Sequence, residues 1–181
     1  MIDEPNRDIC RKILESNKAL FQKVQGASHN HQAWPGGYWD HVQETMNLAV
    51  AFYDTLDALR PLPFTRSDAL LVLFLHDIEK PWKYELLPDG TLAIIEELRE
   101  KKAQHAFRAE KLKEYGIALT PEQFNGLEYV EGEFEDYSSK RRVSGPLAAF
   151  CGNCDRTSAR LWHDHPAAEN DPWSGAKRIS G

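Results

Sequence analysis

A histidine and an aspartate stand side by side at the end of an apolar run: Ala69-Leu70-Leu71-Val72-Leu73-Phe74-Leu75 leads into His76-Asp77, and Ile78-Glu79-Lys80-Pro81 follows. Packing has no use for an imidazole and a carboxylate there, and burying either one unpaired costs several kcal/mol. A divalent metal is the simplest compensator, because imidazole nitrogen and carboxylate oxygen are both good ligands for one. As two residues alone, the pair also suits a plain helix end, capped and solvated. Two more polar residues border apolar helical faces. His41 follows Trp34-Pro35-Gly36-Gly37-Tyr38-Trp39-Asp40 and opens a segment whose Val42, Thr45, Met46, Ala49, Phe52 and Tyr53 recur with helical period. Asp155 lies in a second such segment, after Leu147-Ala148-Ala149-Phe150-Cys151-Gly152-Asn153-Cys154. A His on one helix, a His-Asp pair on another and an Asp on a later one can meet in the core of a helical bundle, where metal sites are built from facing helices.

This ordered set, His41, then His76-Asp77, then Asp155, resembles the signature of the HD-domain superfamily of metal-dependent phosphohydrolases, over roughly residues 25–165. The Gly36-Gly37 pair before His41 is similar to the loop that precedes the first His in the branch containing the HD domains of 3′→5′ exoribonucleases. His76-Asp77-Ile78-Glu79-Lys80 is similar to the family's His-Asp-x-x-Lys. The resemblance implies an all-α HD-domain helical bundle in which His41, His76, Asp77 and Asp155 are the metal ligands. Some branches bind two metals and carry further His residues between the His-Asp pair and the last Asp. His105 falls where the first of these is expected, on a helix that places it with Leu98, Phe107 and Leu112 rather than with Lys101, Lys102 and Arg108. The next expected feature, a His or His-His pair, has no counterpart, since residues 124–133 contain no His. Glu128 or Glu131 could supply an oxygen ligand instead, as carboxylate suits manganese, magnesium or iron. The acidic run 128–136 reads equally well as a solvated face. A second metal therefore stays open, with a substrate or acid–base role for His105 as the other reading.

Lys80 follows Asp77 at helical spacing, so His76, Asp77 and Lys80 share a face while the helix lasts. Pro81 disfavours helical geometry at Lys80, so the helix is expected to end there with the ammonium projecting from its last turn. A flexible cation beside a metal-bound carboxylate suits a phosphate oxygen. At a helix C-terminus it also suits the helix dipole alone. Cys151-Gly152-Asn153-Cys154 is a lone C-x-x-C with only Cys10 elsewhere, too few ligands for a structural zinc site, and its cysteines read as small core residues. His163 and His165 read as surface histidines. His29 and His31, ahead of Gly36-Gly37, are candidates for the pocket mouth. Lys140-Arg141-Arg142 suits a solvated loop or, in the exoribonuclease-like branch, a phosphate.

Helices must position these residues. Periodicity places them at about 4–24, 37–58, 66–80, 97–115, 121–130 and 144–163. Thr65 and Thr120-Pro121 mark helix starts and Gly116 a stop. The stretch 82–94, around Pro88-Asp89-Gly90, reads as a small β-hairpin. Residues 1–165 form one domain and 166–181 an irregular tail. The chain of 181 residues has single-domain length. A net charge of −6 argues against broad, non-specific nucleic-acid binding. Three cysteines give no disulfide framework, no apolar stretch reaches membrane length, and Met1-Ile2-Asp3-Glu4-Pro5 does not read as a signal peptide, so a reducing cytoplasm is expected.

The expected activity is hydrolysis of a phosphoester, of a nucleotide or a similar small phosphorylated metabolite, by a metal-activated water. Asp77, Lys80 and His105 are the expected catalytic residues. Manganese, iron, cobalt, nickel, zinc and magnesium all suit two imidazoles and two carboxylates. Three alternatives use the same residues differently: a 3′→5′ exoribonuclease-like phosphodiesterase on single-stranded RNA, a di-iron oxygenase, and a binding module without turnover.

Overall fold

In the computed structural model, which describes residues 1–27, 31–88, 92–166, 168 and 171, helix α3 (Arg66–Leu75) runs through the centre of the molecule with every residue from Ala69 to Leu75 buried. A helix that is apolar all round has no solvent face to offer, so its neighbours must enclose it. Its start is set by a capping box: the Thr65 hydroxyl accepts from the Asp68 N–H at 3.1 Å, and the Asp68 carboxylate accepts from the Thr65 N–H at 2.8 Å. Helices α2 (Gly37–Leu59), α6 (Pro121–Tyr129) and α7 (Pro146–Leu161) pack around it and, in part, on one another. Gly126 permits that closeness, because a Cβ there would sit 3.0–3.1 Å from Leu147 and Val72 side-chain atoms. Helix α1 (Asn6–Phe21) adds Cys10, Ile13 and Phe21 to the same core.

The remaining elements are a small hairpin and a further helix. Strands β1 (Tyr84–Leu86) and β2 (Leu92–Ile94) pair antiparallel with Tyr84 opposite Ile94, and α5 (Lys101–Tyr115) ends on Gly116 in the left-handed conformation, φ 75°. The predominantly helical architecture with one small hairpin agrees with the sequence-based expectation, as do the helix starts at Thr65 and Thr120. Among the described residues no helix is long and apolar enough to cross a membrane. All three cysteines are free and buried, as core residues should be. His29, the Asp89-Gly90 turn and most of the 166–181 tail lie outside the described residues.

Three local expectations are corrected. The helix predicted over 66–80 stops at Leu75. Beyond it the Ile78, Lys80 and Trp82 amides donate to carbonyls three residues back, at Leu75, Asp77 and Glu79, over 3.0–3.2 Å. Pro81 has no N–H for the Asp77 carbonyl, so the Lys80 amide takes that acceptor and the chain restarts as a single turn, α4 (Lys80–Lys83). Arg108 is not on the outer face of α5 with Lys101 and Lys102. It is buried, and its Nη1 donates to the His76 carbonyl at 2.8 Å. Nearby, burial and Asp77 push the Glu79 carboxyl up to about 7, and the Arg108 guanidinium partly opposes that rise. Likewise, the predicted helix over 97–115 divides into a 3₁₀ turn, Glu96–Leu98, and α5.

Candidate metal centre

The junction after α3 brings His76 and Asp77 to the end of the core, where α2 presents His41 and α7 presents Asp155. The four residues converge. His41 Nε2 lies 3.3 Å from His76 Nε2, 3.1 Å from Asp155 Oδ1 and 3.6 Å from Asp77 Oδ2. His76 Nε2 lies 3.2 Å from Asp77 Oδ2 and 3.7 Å from Asp155 Oδ1. Ligands about 2.1 Å from a shared ion stand about 3.0 Å apart at right angles and about 3.4 Å apart at the tetrahedral angle, so these separations are of the kind one ion imposes. His41, His76 and Asp155 form the tight group, with one ligand atom from each within 4.8 Å of the others. Asp77 joins through Oδ2, which also receives the Lys80 ammonium at 2.6 Å.

The hydrogen bonds behind the imidazoles decide which nitrogens face inward. His76 Nδ1 lies 2.7 Å from the Leu73 carbonyl, which can only accept, so Nδ1 carries the proton. His41 Nδ1 lies 2.9 Å from Ser158 Oγ, and the Ser158 hydroxyl donates its one proton to Glu44 Oε2 at 2.7 Å. Toward His41 the hydroxyl is therefore an acceptor, and Nδ1 again carries the proton. With Nδ1 committed behind each ring, the two Nε2 atoms face each other and two carboxylates, an acceptor-rich cluster that suits a cation. Two neutral imidazoles and two carboxylates carry two negative charges, which a divalent ion offsets. The residues fit a metal ion.

Electrostatics point the same way. Burial opposes a charge on His76, yet Asp77 and Asp155 carry its pKa well above the ordinary imidazole value. Burial keeps His41 below that value. Both carboxyls sit below their usual range despite burial, Asp77 chiefly through Lys80 and His76, and Asp155 through hydrogen bonding with the two histidines. The cluster attracts positive charge.

A loop ahead of α2 locks this arrangement. Gly36 is left-handed, φ 82°, and a Cβ on Gly37 would meet the Gln32 carbonyl oxygen at 1.9 Å. Gln32 itself is fully buried with φ 42°. Its Nε2 donates to Glu44 Oε2 at 2.9 Å and lies 3.2 Å from the Ser158 carbonyl, while its own N–H donates to the His163 carbonyl at 2.8 Å. Burial lifts the Glu44 carboxyl to about 7 against the hydrogen bonds from Ser158 and Gln32.

Above the cluster opens a cavity of about 370 Å³, lined by His31, Asp77, Lys80, Glu131, Asp155, Arg156, Ala159 and Arg160. His31 thus takes the position at the mouth that its place before the glycines suggested, its ring centroid 5.0 Å from that of His41. The Lys80 side chain is 12% exposed and lines the cavity, but its nearest partner is Asp77 rather than open solvent. His105 Nδ1 stands 3.4 Å from Glu128 Oε1, so the pairing with a carboxylate of α6 exists, yet neither residue lines this cavity. Glu131 does line it, held by Lys101 at 2.7 Å. Lys140, Arg141 and Arg142 are exposed and are not among its lining residues. Within the acidic run, Glu133 accepts from the Val143 and Ser144 amides and pins that loop. Sequence reasoning missed Glu44, Ser158, Arg156 and Arg160. Glu44 and Ser158 each follow a cluster residue at the i+3 position of its helix, which is the signal that could have found them. Compared with known protein families, with curated proteins and with solved structures, the chain matches none.

Proposed function

We propose that the protein is an HD-type, metal-dependent phosphohydrolase in which His41, His76, Asp77 and Asp155 hold a divalent ion. The observation that carries this reading is the convergence of two imidazole Nε2 atoms, both with protonated Nδ1, on two carboxylates that line a cavity together with Lys80, Arg156 and Arg160. A divalent ion held there supplies Lewis acidity, acidifying water and screening phosphoryl oxygens. Asp155, with 19% of its side chain exposed against 5% for Asp77, is the better placed to orient the incoming water. The water oxygen bonds to phosphorus, the ester P–O bond breaks, and the leaving oxygen takes a proton. Lys80 holds Asp77 in place and brings positive charge to the cavity wall.

The exoribonuclease-like alternative needs a basic track with aromatic platforms, and the cavity lining contains no Phe, Tyr or Trp among the described residues. A small phosphorylated metabolite suits the enclosure better. The test is metal analysis of protein reconstituted with manganese, followed by phosphate release from a panel of nucleotides and short RNA. Stoichiometric metal and turnover of a nucleotide are expected, both lost in His76→Ala. Full metal retention by that variant, or a loaded wild-type protein inert toward every ester, would overturn the reading.

A further inference from the structure

The cavity carries positive charge that the metal-binding residues do not use. Arg156 and Arg160 lie one turn apart on α7, directly after Asp155, and both line the cavity. Arg156 gives one N–H to the neutral Asn153 side chain at 2.9 Å. Among the described residues neither guanidinium has a carboxylate partner, and Arg160 has no hydrogen-bond partner. Glu131 is matched by Lys101, and Asp77 is matched by Lys80 only as long as no ion sits on the cluster. With a divalent ion offsetting Asp77 and Asp155, Lys80, Arg156 and Arg160 remain as three uncompensated positive charges around one small enclosure. Two arginines on an open helix face would need no explanation. Two at the rim of a cavity floored by carboxylates are a place for an anion.

The anion can be specified by charge and shape. A phosphomonoester carries nearly two negative charges at neutral pH and presents three terminal oxygens. An internal phosphodiester carries one charge and two free oxygens. Planar guanidinium forks match terminal phosphate oxygens, and their charge surplus matches the monoester. We infer that Arg156 and Arg160 clamp a terminal phosphate, so that this chain prefers phosphomonoesters to internal phosphodiesters. The choice of phosphate as the anion rests on the phosphohydrolase reading; the anion site itself rests on the arginines.

The test compares wild type with the Arg156→Gln/Arg160→Gln double variant, both loaded with manganese. The substitutions are on exposed helical positions and leave the metal ligands untouched. Two readouts are taken: thermal protection by inorganic phosphate, and kcat/KM on p-nitrophenyl phosphate against bis(p-nitrophenyl) phosphate. Wild type should be protected by phosphate and should favour the monoester. The double variant should keep its metal, lose the protection and lose monoester kcat/KM by about tenfold or more per guanidinium, mainly through KM, with diester hydrolysis little changed. Undiminished phosphate protection in the double variant, or equal losses on both esters, overturns the clamp while leaving the hydrolase reading in place. Arginine-dependent protection without hydrolysis of either ester supports the anion site and refutes the hydrolase reading alone.

Discussion

Ser158→Ala isolates the orientation of His41. The hydroxyl is fully buried and bridges the His41 Nδ1–H to Glu44 over 2.9 and 2.7 Å. Removing it leaves the Nδ1–H without an acceptor, and an orphaned buried donor costs about 1–3 kcal/mol. Glu44 is less affected, because Gln32 Nε2 still donates to it at 2.9 Å. The metal-free protein should therefore lose about 1–3 kcal/mol in urea unfolding. The larger effect falls on metal binding. Without the serine acceptor His41 can relax to the tautomer with the proton on Nε2, whose lone pair is then lost to the ion, and removal of such an orienting partner typically weakens metal affinity about 10–100-fold. Competition titration with a chelating dye reads the affinity. Nitrogen chemical shifts of His41 in the metal-free protein read the tautomer without any ion present. Wild-type affinity together with an unchanged Nδ1–H tautomer in the folded variant would refute the orienting role of Ser158.

Two further outcomes follow from the same network. Glu44, raised from 4.5 to about 7, binds its proton more tightly folded than unfolded, so its contribution to stability is full below pH 4.5 and is lost as pH rises through about 7. Glu44→Gln cannot titrate, so metal-free Glu44→Gln should gain on wild type by up to about 3 kcal/mol across that window, and a pH-independent difference between the two would contradict the assignment. Gly37→Ala would drive a Cβ into the Gln32 carbonyl, 1.9 Å away, and displace the loop. It should cost about 2–3 kcal/mol by urea unfolding and weaken metal binding as Gln32 leaves Glu44; a variant as stable as wild type would show that the loop does not constrain α2.

The cluster was legible because its members break strong patterns. His76 and Asp77 end seven consecutive apolar residues, and His41 and Asp155 sit at the edges of periodic helical faces. Polar residues in such places stand out against the hydrophobic stripe. The supporting residues were hidden for the opposite reason. Glu44 and Ser158 occupy helical positions where a polar residue is unremarkable, and only the packing of α2 against α7 shows that they are buried together. Arg108 misled for a related reason: charge on a helix otherwise reads as its outer face, and a backbone carbonyl acceptor at His76 leaves no trace in sequence. The premature end of α3 was half visible. Pro81 announced a break, but the tight turns that begin at Leu75 depend on amide pairings that spacing alone does not encode.

The central position of α3 also bears on how the protein opens. Its last buried residue, Leu75, is directly followed by His76 and Asp77, so the deepest segment of the core and two of the four cluster residues belong to one continuous piece of chain. Local fraying can expose the cavity rim on α7 without disturbing that piece, whereas freeing His76 requires α3 to leave its neighbours. Slow amide exchange along Leu71 to Leu75 should then report global unfolding. An ion bound at the cluster should slow that exchange in step with its own affinity and concentration, because it binds only the state in which α3 is in place.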